Sequence, residues 1–411
     1  MIAIAAGVAT LSVAAASSLP ARAVASDARS AGRAWHSVGH ARHRHDQGAA
    51  ALAHDRWRVL ARSPIGSPAG ASVVWDGSAL LEIGGGNPGG QRRERRTGAA
   101  FDPRSGRWRT IATAPTSVLT DGASTVWTGR ALFVFGASEP PGPPPTGIAG
   151  LYDPSSNNWT VTSPAPVRLP SNGVAAVWSG KRVILAAIHG NGTHAALESA
   201  AYDPATGLWQ KLKLSPPAGH YPLAVEMVAT NRGVLAWSLW SRGRRISANG
   251  FVIYSGVDVF RLRTGRWRSV TGAWPQHRTV DQPLFTGSRV LLGANQIWCG
   301  ACSHPAPVDA NGWSVNPATL AVTRLAHGPL DDIQPQILWS GSAEIALDIG
   351  GEIKGPHVDV LPGDIGFLDT GTGHWYRGPR APHAPGPAAA VWDGSHVLVL
   401  DQHGELLSYG P

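Results

Sequence analysis

Two short sequence patterns alternate along this chain of 411 residues and return at a spacing of about fifty residues, as structural repeats do. The first pattern is a pair of apolar residues, then Trp-x-Gly, then a second apolar run. Its tryptophans are Trp75, Trp127, Trp178, Trp339 and Trp392, and weaker copies lie at 228–231 and 284–287. The second pattern is an aromatic residue followed by Asp-Pro, with a tryptophan six residues after the aspartate. Its clear copies contain Trp108, Trp159 and Trp209, and degraded copies lie at 260–267, 315–322 and 368–375. Seven copies of the first pattern predict seven equivalent units.

Each unit is predicted to form four strands. An Asp-Gly or Ser-Gly pair after the tryptophan is typical of a tight hairpin turn, and a proline ends strand pairing because it has no amide hydrogen. A content of 50 Gly and 33 Pro fits many such turns. A small twisted sheet cannot bury both faces alone, but sheets stacked around an axis bury them against each other. The sequence therefore predicts an all-β fold, a seven-bladed β-propeller of four-stranded antiparallel blades with the repeated tryptophans as wedges between blades.

The two ends of the repeat region predict how the ring closes. Residues 54–60 resemble an isolated fourth strand, because Trp57 lies one repeat length before Trp108. The C-terminal segment supplies three strands and ends at Pro411. We expect the N-terminal strand to pair with the C-terminal blade and to complete it, which leaves the ring without an open edge.

These units resemble Kelch repeats, as in the galactose-oxidase-like propellers, over residues 54–411. The resemblance implies the fold, but this fold carries enzymes and binding modules alike. Copper chemistry of the galactose oxidase kind requires a Tyr-His ligand pair and a tyrosine crosslinked to cysteine. This chain has no Tyr-His dipeptide, and its two cysteines lie in one loop. The chain also departs from the double glycine of the Kelch pattern, since single glycines remain at Gly136 and Gly293 and none in the last repeat.

The segment before the propeller is predicted to be an export signal followed by a leader. Residues 1–25 are assigned to a signal peptide, because the stretch from Ile2 to Leu19 is small and apolar and Ala21-Arg22-Ala23 offers a cleavage site. No basic residue precedes Arg22, and an uncleaved membrane anchor is the alternative. Residues 26–53 are assigned to a flexible His- and Arg-rich leader. Its histidines could bind divalent metals, although a plain linker is preferred; they are His36, His40, His43 and His45.

These features predict a secreted, extracellular, monomeric protein without a stable membrane span after cleavage. Its formal net charge of +8 favours an anionic ligand, and no nucleic-acid-binding element is recognisable. In an exported chain, Cys299 and Cys302 are expected to form a local disulfide. A thioredoxin-like redox motif and a metal site with His304 are the alternatives for these cysteines.

Propeller loops that connect the fourth strand to the next first strand share one face with the loops between second and third strands. Polar residues of these loops are the candidate ligand-binding residues: Asp121, Arg168, His220, Tyr221, His277, Arg278, Asp281, Asp331, Asp332 and His383. The histidine, arginine and aspartate at 277–281, opposite the aspartates at 331–332, could do acid–base work or hold a metal. Solvated loops and a turn-forming aspartate pair are the alternatives. No metal, catalytic residue or cofactor is predicted.

Three functions fit these observations. A non-catalytic module that binds a cell-envelope glycan or protein is the main expectation, because no catalytic signature is visible and the loops vary. The alternative is an enzyme that acts on a sugar-like small molecule in the channel mouth. A structural exported protein is the third.

Overall fold

The computed structural model describes the chain from Gly48 onward, in segments whose boundaries define what is said of the structure below. The described residues are 48–66, 71–85, 96–120, 123–136, 146–169, 173–190, 194–214, 216–241, 256–262, 266–269, 278–296, 312–326, 328–330, 336–348, 351–354, 357–360, 363–385 and 388–411. In several strands only the backbone is described.

Within these segments, thirty strands form seven four-stranded sheets and one two-stranded hairpin. The first three blades consist of β2 (Ala71–Trp75), β3 (Leu80–Gly84), β4 (Gly98–Asp102), β5 (Arg107–Ile111); β6 (Ser124–Trp127), β7 (Leu132–Phe135), β8 (Gly150–Asp153), β9 (Asn158–Val161); and β10 (Gly173–Trp178), β11 (Val183–His189), β12 (Ala196–Asp203), β13 (Leu208–Leu212). Blades four and five consist of β14 (Tyr221–Thr230), β15 (Gly233–Ser241), β16 (Gly256–Arg261), β17 (Arg266–Ser269); and β18 (Arg278–Phe285), β19 (Val290–Gln296), β20 (Trp313–Val315), β21 (Val322–Arg324).

Blade six contains an inserted hairpin, and blade seven uses both chain ends. Blade six consists of β22 (Gln336–Trp339), β23 (Glu344–Leu347), β26 (Ile365–Asp369) and β27 (His374–Arg377), and the hairpin between its second and third strands is β24 (Gly351–Lys354) with β25 (His357–Val360). Blade seven consists of β28 (Ala389–Trp392), β29 (Val397–Leu400), β30 (Glu405–Gly410) and β1 (Arg56–Arg62).

The ring is closed as the sequence predicts. All strand pairs within the blades are antiparallel, and the first strand of each blade contacts the first strand of the next, from β2 round to β28 and back to β2. Strand β1 pairs with β30, with Trp57 opposite Tyr409 and Arg56 opposite Gly410. The seven-bladed, all-β propeller, with its N-terminal strand in the C-terminal blade, is therefore confirmed.

The repeated aspartates shape the turns. In the first hairpin of blade one, the Asp76 carboxylate accepts hydrogen bonds from the amides of Ser78 and Ala79, both at 2.7 Å. Between the third and fourth strands, Asp102 accepts the amide of Arg104 at 2.9 Å. A short side chain that bonds to the backbone two residues ahead stabilises a tight turn, which is why aspartate recurs at these positions.

In five blades of the described structure, a fourth-strand tryptophan joins the blade to its predecessor. Four of these rings pack on the aromatic residue opposite them, as Trp108 does on Phe101 with ring centroids 5.3 Å apart, and Trp375 lies opposite Leu368. The indole N–H of these five tryptophans also donates to a backbone carbonyl at the end of, or just beyond, the fourth strand of the preceding blade. These bonds are Trp57 to Pro379 (2.8 Å), Trp108 to Ala61 (3.3 Å), Trp159 to Ala112 (2.7 Å), Trp209 to Ser163 (2.9 Å) and Trp375 to Ala326 (3.0 Å). The tryptophan therefore acts as an apolar wedge and as a directional tie between blades.

Polar side chains also connect the inner strands around the axis. Ser72 donates to the Ala123 carbonyl at 3.2 Å, and Ser124 donates to the Val174 carbonyl at 2.8 Å. Gln336 bonds both backbone groups of Ala390, donating at 3.0 Å and accepting at 2.9 Å. These side chains satisfy inner-strand backbone groups that face a neighbouring blade rather than a strand.

A short helix precedes the propeller. Helix α1 (Ala49–Leu52) buries Ala49 and Leu52 in the apolar cluster between blades six and seven, and the Tyr409 hydroxyl donates to the Leu52 carbonyl at 2.7 Å. Among the residues described here, no helix has the length and apolar character that crossing a membrane requires.

One acidic side chain is buried where the other blades are apolar. Glu344 begins β23 and is only 3% exposed, and its Oε2 atom has no hydrogen-bond partner within the described residues. Burial raises the pKa of its carboxyl to about 8. The residues at the same register in the other six blades are Leu80, Leu132, Val183, Val234, Val290 and Val397.

We expect the substitution Trp159→Phe to lower the free energy of unfolding by about 1–2 kcal/mol, because the ring packing stays and the bond to the Ala112 carbonyl is lost. Urea denaturation measures this difference. The matched control is Trp392→Phe, since the Trp392 indole has no hydrogen-bond partner in the described part of the chain. Equal losses in both variants would contradict a tie made by the indole N–H.

Glu344 makes stability depend on pH. Between its usual pKa of 4.5 and the raised value of about 8, the folded state keeps a proton that the unfolded state releases. The free energy of unfolding should therefore fall by about 1.4 kcal/mol per pH unit across this window from this group alone. Denaturation at several pH values should show a shallower decline for Glu344→Gln, which cannot ionise. An unchanged slope would show that Glu344 is ionised in the folded protein.

Candidate functional site

The candidate site lies on the loop face, by which we mean the face that carries the fourth-to-first and second-to-third strand loops. The inner hairpins of blades four and five are longest on this side. β14 has 10 residues and β15 has 9, whereas β6 and β7 have 4 each. Because the β14–β15 turn lies on the opposite face, the extra residues extend the strands toward the loop face by about 15–20 Å. The loop face is therefore walled on the side of blades four and five.

The structure describes the side chains of four predicted site residues: Arg168, His220, Tyr221 and His383. Only the backbone is described for Arg278, opposite Gln296, and for Asp281, opposite Gly293. The remaining predicted residues lie outside the described residues, so the constellation at 277–281 and 331–332 is not tested; they are Asp121, His277, Asp331, Asp332, Cys299 and Cys302.

Arg168 is held in an ion pair. Glu198 in β12 accepts the backbone amide of Arg168 at 2.6 Å and its Nε at 2.8 Å. Burial alone would raise the pKa of Glu198, but these hydrogen bonds and the charge of Arg168 lower it. The pair therefore fixes the loop between blades two and three, and the Arg168 side chain stays 60% exposed.

His220 covers a buried tryptophan on the wall of blade four. Its imidazole stacks on the Trp240 indole with centroids 3.6 Å apart and an angle of 11°. Trp240 is 4% exposed, so the stack leaves no indole face for a ligand. Tyr221 follows His220 as the first residue of β14 and is partly exposed.

Among the candidates whose side chains are described, His383 is the one whose imidazole contacts two carboxylates. It lies in the loop between blades six and seven, and its Nε2 atom is 3.0 Å from Asp401 Oδ2 and 3.4 Å from Glu405 Oε2. Asp401 and Glu405 flank the loop between the second and third strands of blade seven. We call these three residues the His383 cluster.

The cluster combines a fixed carboxylate with accessible partners. Asp401 is 1% exposed, and its Oδ1 atom accepts the amides of His403 at 2.8 Å and Glu405 at 2.7 Å. The side chains of His383 and Glu405 are 35% and 38% exposed. Nδ1 of His383 has no hydrogen-bond partner within the described residues. The buried carboxylate therefore orients an imidazole whose second nitrogen is open.

Asp401 occupies a position at which other blades have small residues. The equivalent residues by strand register are Gly84, Gly136, Ala187, Ser238 and Ala294 in blades one to five, and Asp348 in blade six. Small residues fit because the neighbouring loop crosses here: a Cβ at Gly136 would lie 2.6 Å from the Leu119 carbonyl oxygen. The fold itself therefore does not require a carboxylate at this position.

The loop between blades six and seven runs between Asp348 and Asp401. Two arginines near its start share a carboxylate, Arg377 at the end of β27 and Arg380 in the loop. Arg380 donates to Asp364 through Nε at 2.8 Å and through a second nitrogen at 3.1 Å, and Arg377 donates to it at 2.7 Å. The hydrogen bonds from Arg380 keep the pKa of Asp364 low, and Arg377 adds to this effect. Both arginines remain at least half exposed, at 50% and 60%.

The opposite face is less suited to chemistry. A cavity there is lined mainly by apolar residues of β6, β10, β14 and β18, such as Val126, Val177 and Phe285. A His–Asp pair also occurs there, but His396 contacts Asp393 and Ser395 through one nitrogen, and the Asp393 carboxylate accepts the turn amides of Ser395 and His396. This pair stabilises a turn.

Asp401 and Glu405 were missing from the sequence-based candidates. The available signal was the absent glycine of the last repeat, where the Kelch pattern would place a glycine and the chain has Leu400-Asp401. A charged residue at a buried repeat position is an indicator of function that periodicity alone does not use.

No protein-family model matches the chain, and no curated protein matches it either. Among solved structures, the chain is similar to an oligogalacturonate lyase in complex with manganese, with 13% sequence identity and a TM-score of 0.55. The match covers 87% of this chain and 98% of the lyase chain. A likeness at this identity shows the shared propeller fold.

This comparison corrects one expectation. The sequence favoured a non-catalytic module for a glycan or protein, and that expectation is wrong in the light of a similar structure that is an enzyme named for a sugar-derived substrate. The finding fits the alternative better, an enzyme that acts on a sugar-like small molecule.

Proposed function

We propose that this protein is an enzyme that acts on a sugar-like small molecule at the loop face, with the His383 cluster as its proton-transfer centre. The observation that carries the proposal is the buried carboxylate of Asp401 bonded to the partly exposed imidazole of His383. The likeness to a lyase with a sugar-derived substrate supports it.

The chemistry follows from the arrangement of the imidazole. With Nε2–H donated to Asp401, the neutral ring carries its lone pair on Nδ1, which is unbonded in the described structure. This nitrogen can accept a proton from a sugar carbon beside a carboxyl group or from a hydroxyl. The negative charge of Asp401 stabilises the imidazolium that forms, as an orienting carboxylate does in other acid–base sites.

Glu405 can complete the proton transfer. Its carboxylate lies 3.4 Å from the same imidazole and is more exposed than Asp401. A second carboxyl group near the base can receive the proton or return it to a leaving oxygen. The half-exposed Arg377 and Arg380 are available to contact an anionic group of the substrate, although Asp364 already offsets part of their charge.

The wider setting of the proposal rests on the sequence. We propose that the repeats are of the Kelch type and that residues 1–25 direct export, so that the enzyme works outside the cell as a monomer. A formal charge of +8 supports an anionic ligand. A disulfide between Cys299 and Cys302 fits that location.

Activity should be lost when the base is removed. We expect His383→Gln to lower turnover by about 10²–10⁴-fold, the usual contribution of a positioned acid–base group. The assay incubates the full chain with oligogalacturonate and with neutral oligosaccharides, and follows the ultraviolet absorbance of an unsaturated product and the sugars by chromatography. His396→Gln, in the turn pair on the opposite face, is the control and should keep its activity. Turnover that survives in the His383 variant would refute the assigned centre.

Two substitutions of Asp401 should distinguish its role in activity from its role in stability. Asp401→Asn keeps an oxygen that can accept the amides of His403 and Glu405, so its stability should stay close to the original. Asp401→Ala leaves both amides without that acceptor and should cost about 2–4 kcal/mol of unfolding free energy. Chemical denaturation of the two variants tests this difference. Both should lose activity, because the asparagine amide would donate to Nε2 and force the other tautomer of His383.

A further inference from the structure

We infer that the His383 cluster also binds a divalent transition-metal ion, such as Mn²⁺ or Zn²⁺, through His383 Nε2, Asp401 Oδ2 and Glu405 Oε2. One atom from each of these residues lies within 4.8 Å of the other two. They come from two loops of different blades, so the fold brings them together and local sequence does not.

The spacing of the atoms matches a coordination shell. A cation about 2.1 Å from each ligand holds neighbouring ligands about 3.0 Å apart in an octahedron and about 3.4 Å apart in a tetrahedron. The distances from His383 Nε2 are 3.0 Å to Asp401 and 3.4 Å to Glu405. The third pair of ligand atoms, Asp401 Oδ2 and Glu405 Oε2, can approach each other without a change in the loop backbone, because Glu405 is the more exposed carboxylate.

The charges of the cluster also favour a cation. Asp401 and Glu405 bring two negative charges to one imidazole nitrogen, whose single hydrogen can satisfy only one of them. Arg62, on the neighbouring strand, donates to the His403 carbonyl at 3.0 Å and forms no ion pair with either carboxylate in the described structure. A divalent ion would balance both charges at once.

The burial of Asp401 argues for a ligand role independently of these distances. Five other blades have glycine, alanine or serine at its position, so folding does not need a carboxylate there. Placing an ionised group at 1% exposure has a desolvation cost that a bound cation would offset. The amides of His403 and Glu405 hold Oδ1 and leave Oδ2 directed at the cluster, as outer-shell bonds orient metal ligands.

The mixed donor set selects the class of ion. Imidazole suits Zn²⁺ and similar ions, carboxylates suit Mn²⁺ as well, and an all-oxygen set would suit Ca²⁺ or Mg²⁺. Three protein ligands leave positions open for water or substrate. Metal binding and proton transfer require different states of the His383 cluster, because a metal on Nε2 of His383 replaces the hydrogen bond from this nitrogen to Asp401. The inference therefore goes beyond the proposed function and does not depend on it.

Calorimetric titration of the full chain tests the inference. The protein is first freed of metal with a chelator, and His36, His40, His43 and His45 are replaced by Gln so that the leader cannot compete. MnCl₂ and ZnCl₂ should each bind at one site and raise the melting temperature, whereas CaCl₂ and MgCl₂ should bind more weakly. Asp401→Asn and Glu405→Gln should weaken binding by about 10–100-fold or more.

The matched control is Asp393→Asn, which alters the His–Asp pair of the opposite face and should leave cation binding unchanged. Circular dichroism verifies that each variant is folded. Binding that persists in the Asp401 and Glu405 variants, or no binding of Mn²⁺ or Zn²⁺, would overturn the inference. If the protein binds no metal but turns over a sugar in the presence of chelator, the metal inference fails and the proposed enzyme stands. If it binds Mn²⁺ or Zn²⁺ but turns over no sugar, the proposed enzyme fails and the metal site stands.

Discussion

The contact on which the ring depends is the bond between a fourth-strand tryptophan and a carbonyl of the blade before it. Each blade is a local structure that could slide or tilt against its neighbours, since apolar packing has no direction. An indole N–H that must find one carbonyl fixes the angle between adjacent sheets. Five described blades use this bond, including the blade closed by Trp57, so one geometry is repeated around the axis. A regular ring is what holds the loops of different blades in fixed positions.

The sequence was sufficient for the ring because every blade repeats the same local solution. Trp57 could be assigned to the last blade from its spacing alone, and its pairing with Tyr409 confirms that assignment. The His383 cluster could be predicted only in part. His383 was recognisable as a polar loop residue, but Asp401 lies 18 residues further on and meets it only because one loop crosses between two blades. A periodic pattern describes what blades share, and a functional site is made of what they do not share.

Blades six and seven differ from blades one and two at the point where a loop crosses between them. Gly84 and Gly136 flank the loop between the first two blades, and Asp348 and Asp401 stand at the same positions further round the ring. The flanked loop in turn carries Arg380, bonded to Asp364, and His383, bonded to Asp401. Between blades six and seven, the side chains of Asp348 and Asp401 thus take the place of the close backbone contacts that Gly84 and Gly136 make between blades one and two. The fold tolerates this exchange because the other sectors keep the simpler packing.

The pairing of β1 with β30 has a consequence for how the protein is made. During synthesis, β1 leaves the ribosome before the other strands of the propeller, and its partner β30 leaves after them. The first strand must therefore remain without its partner while six blades are assembled, and its exposed Val59 and Leu60 are open to wrong pairings during that time. The circle can be joined only after β30 has been synthesised, so a chain that stops before residue 405 would be left with an open seam.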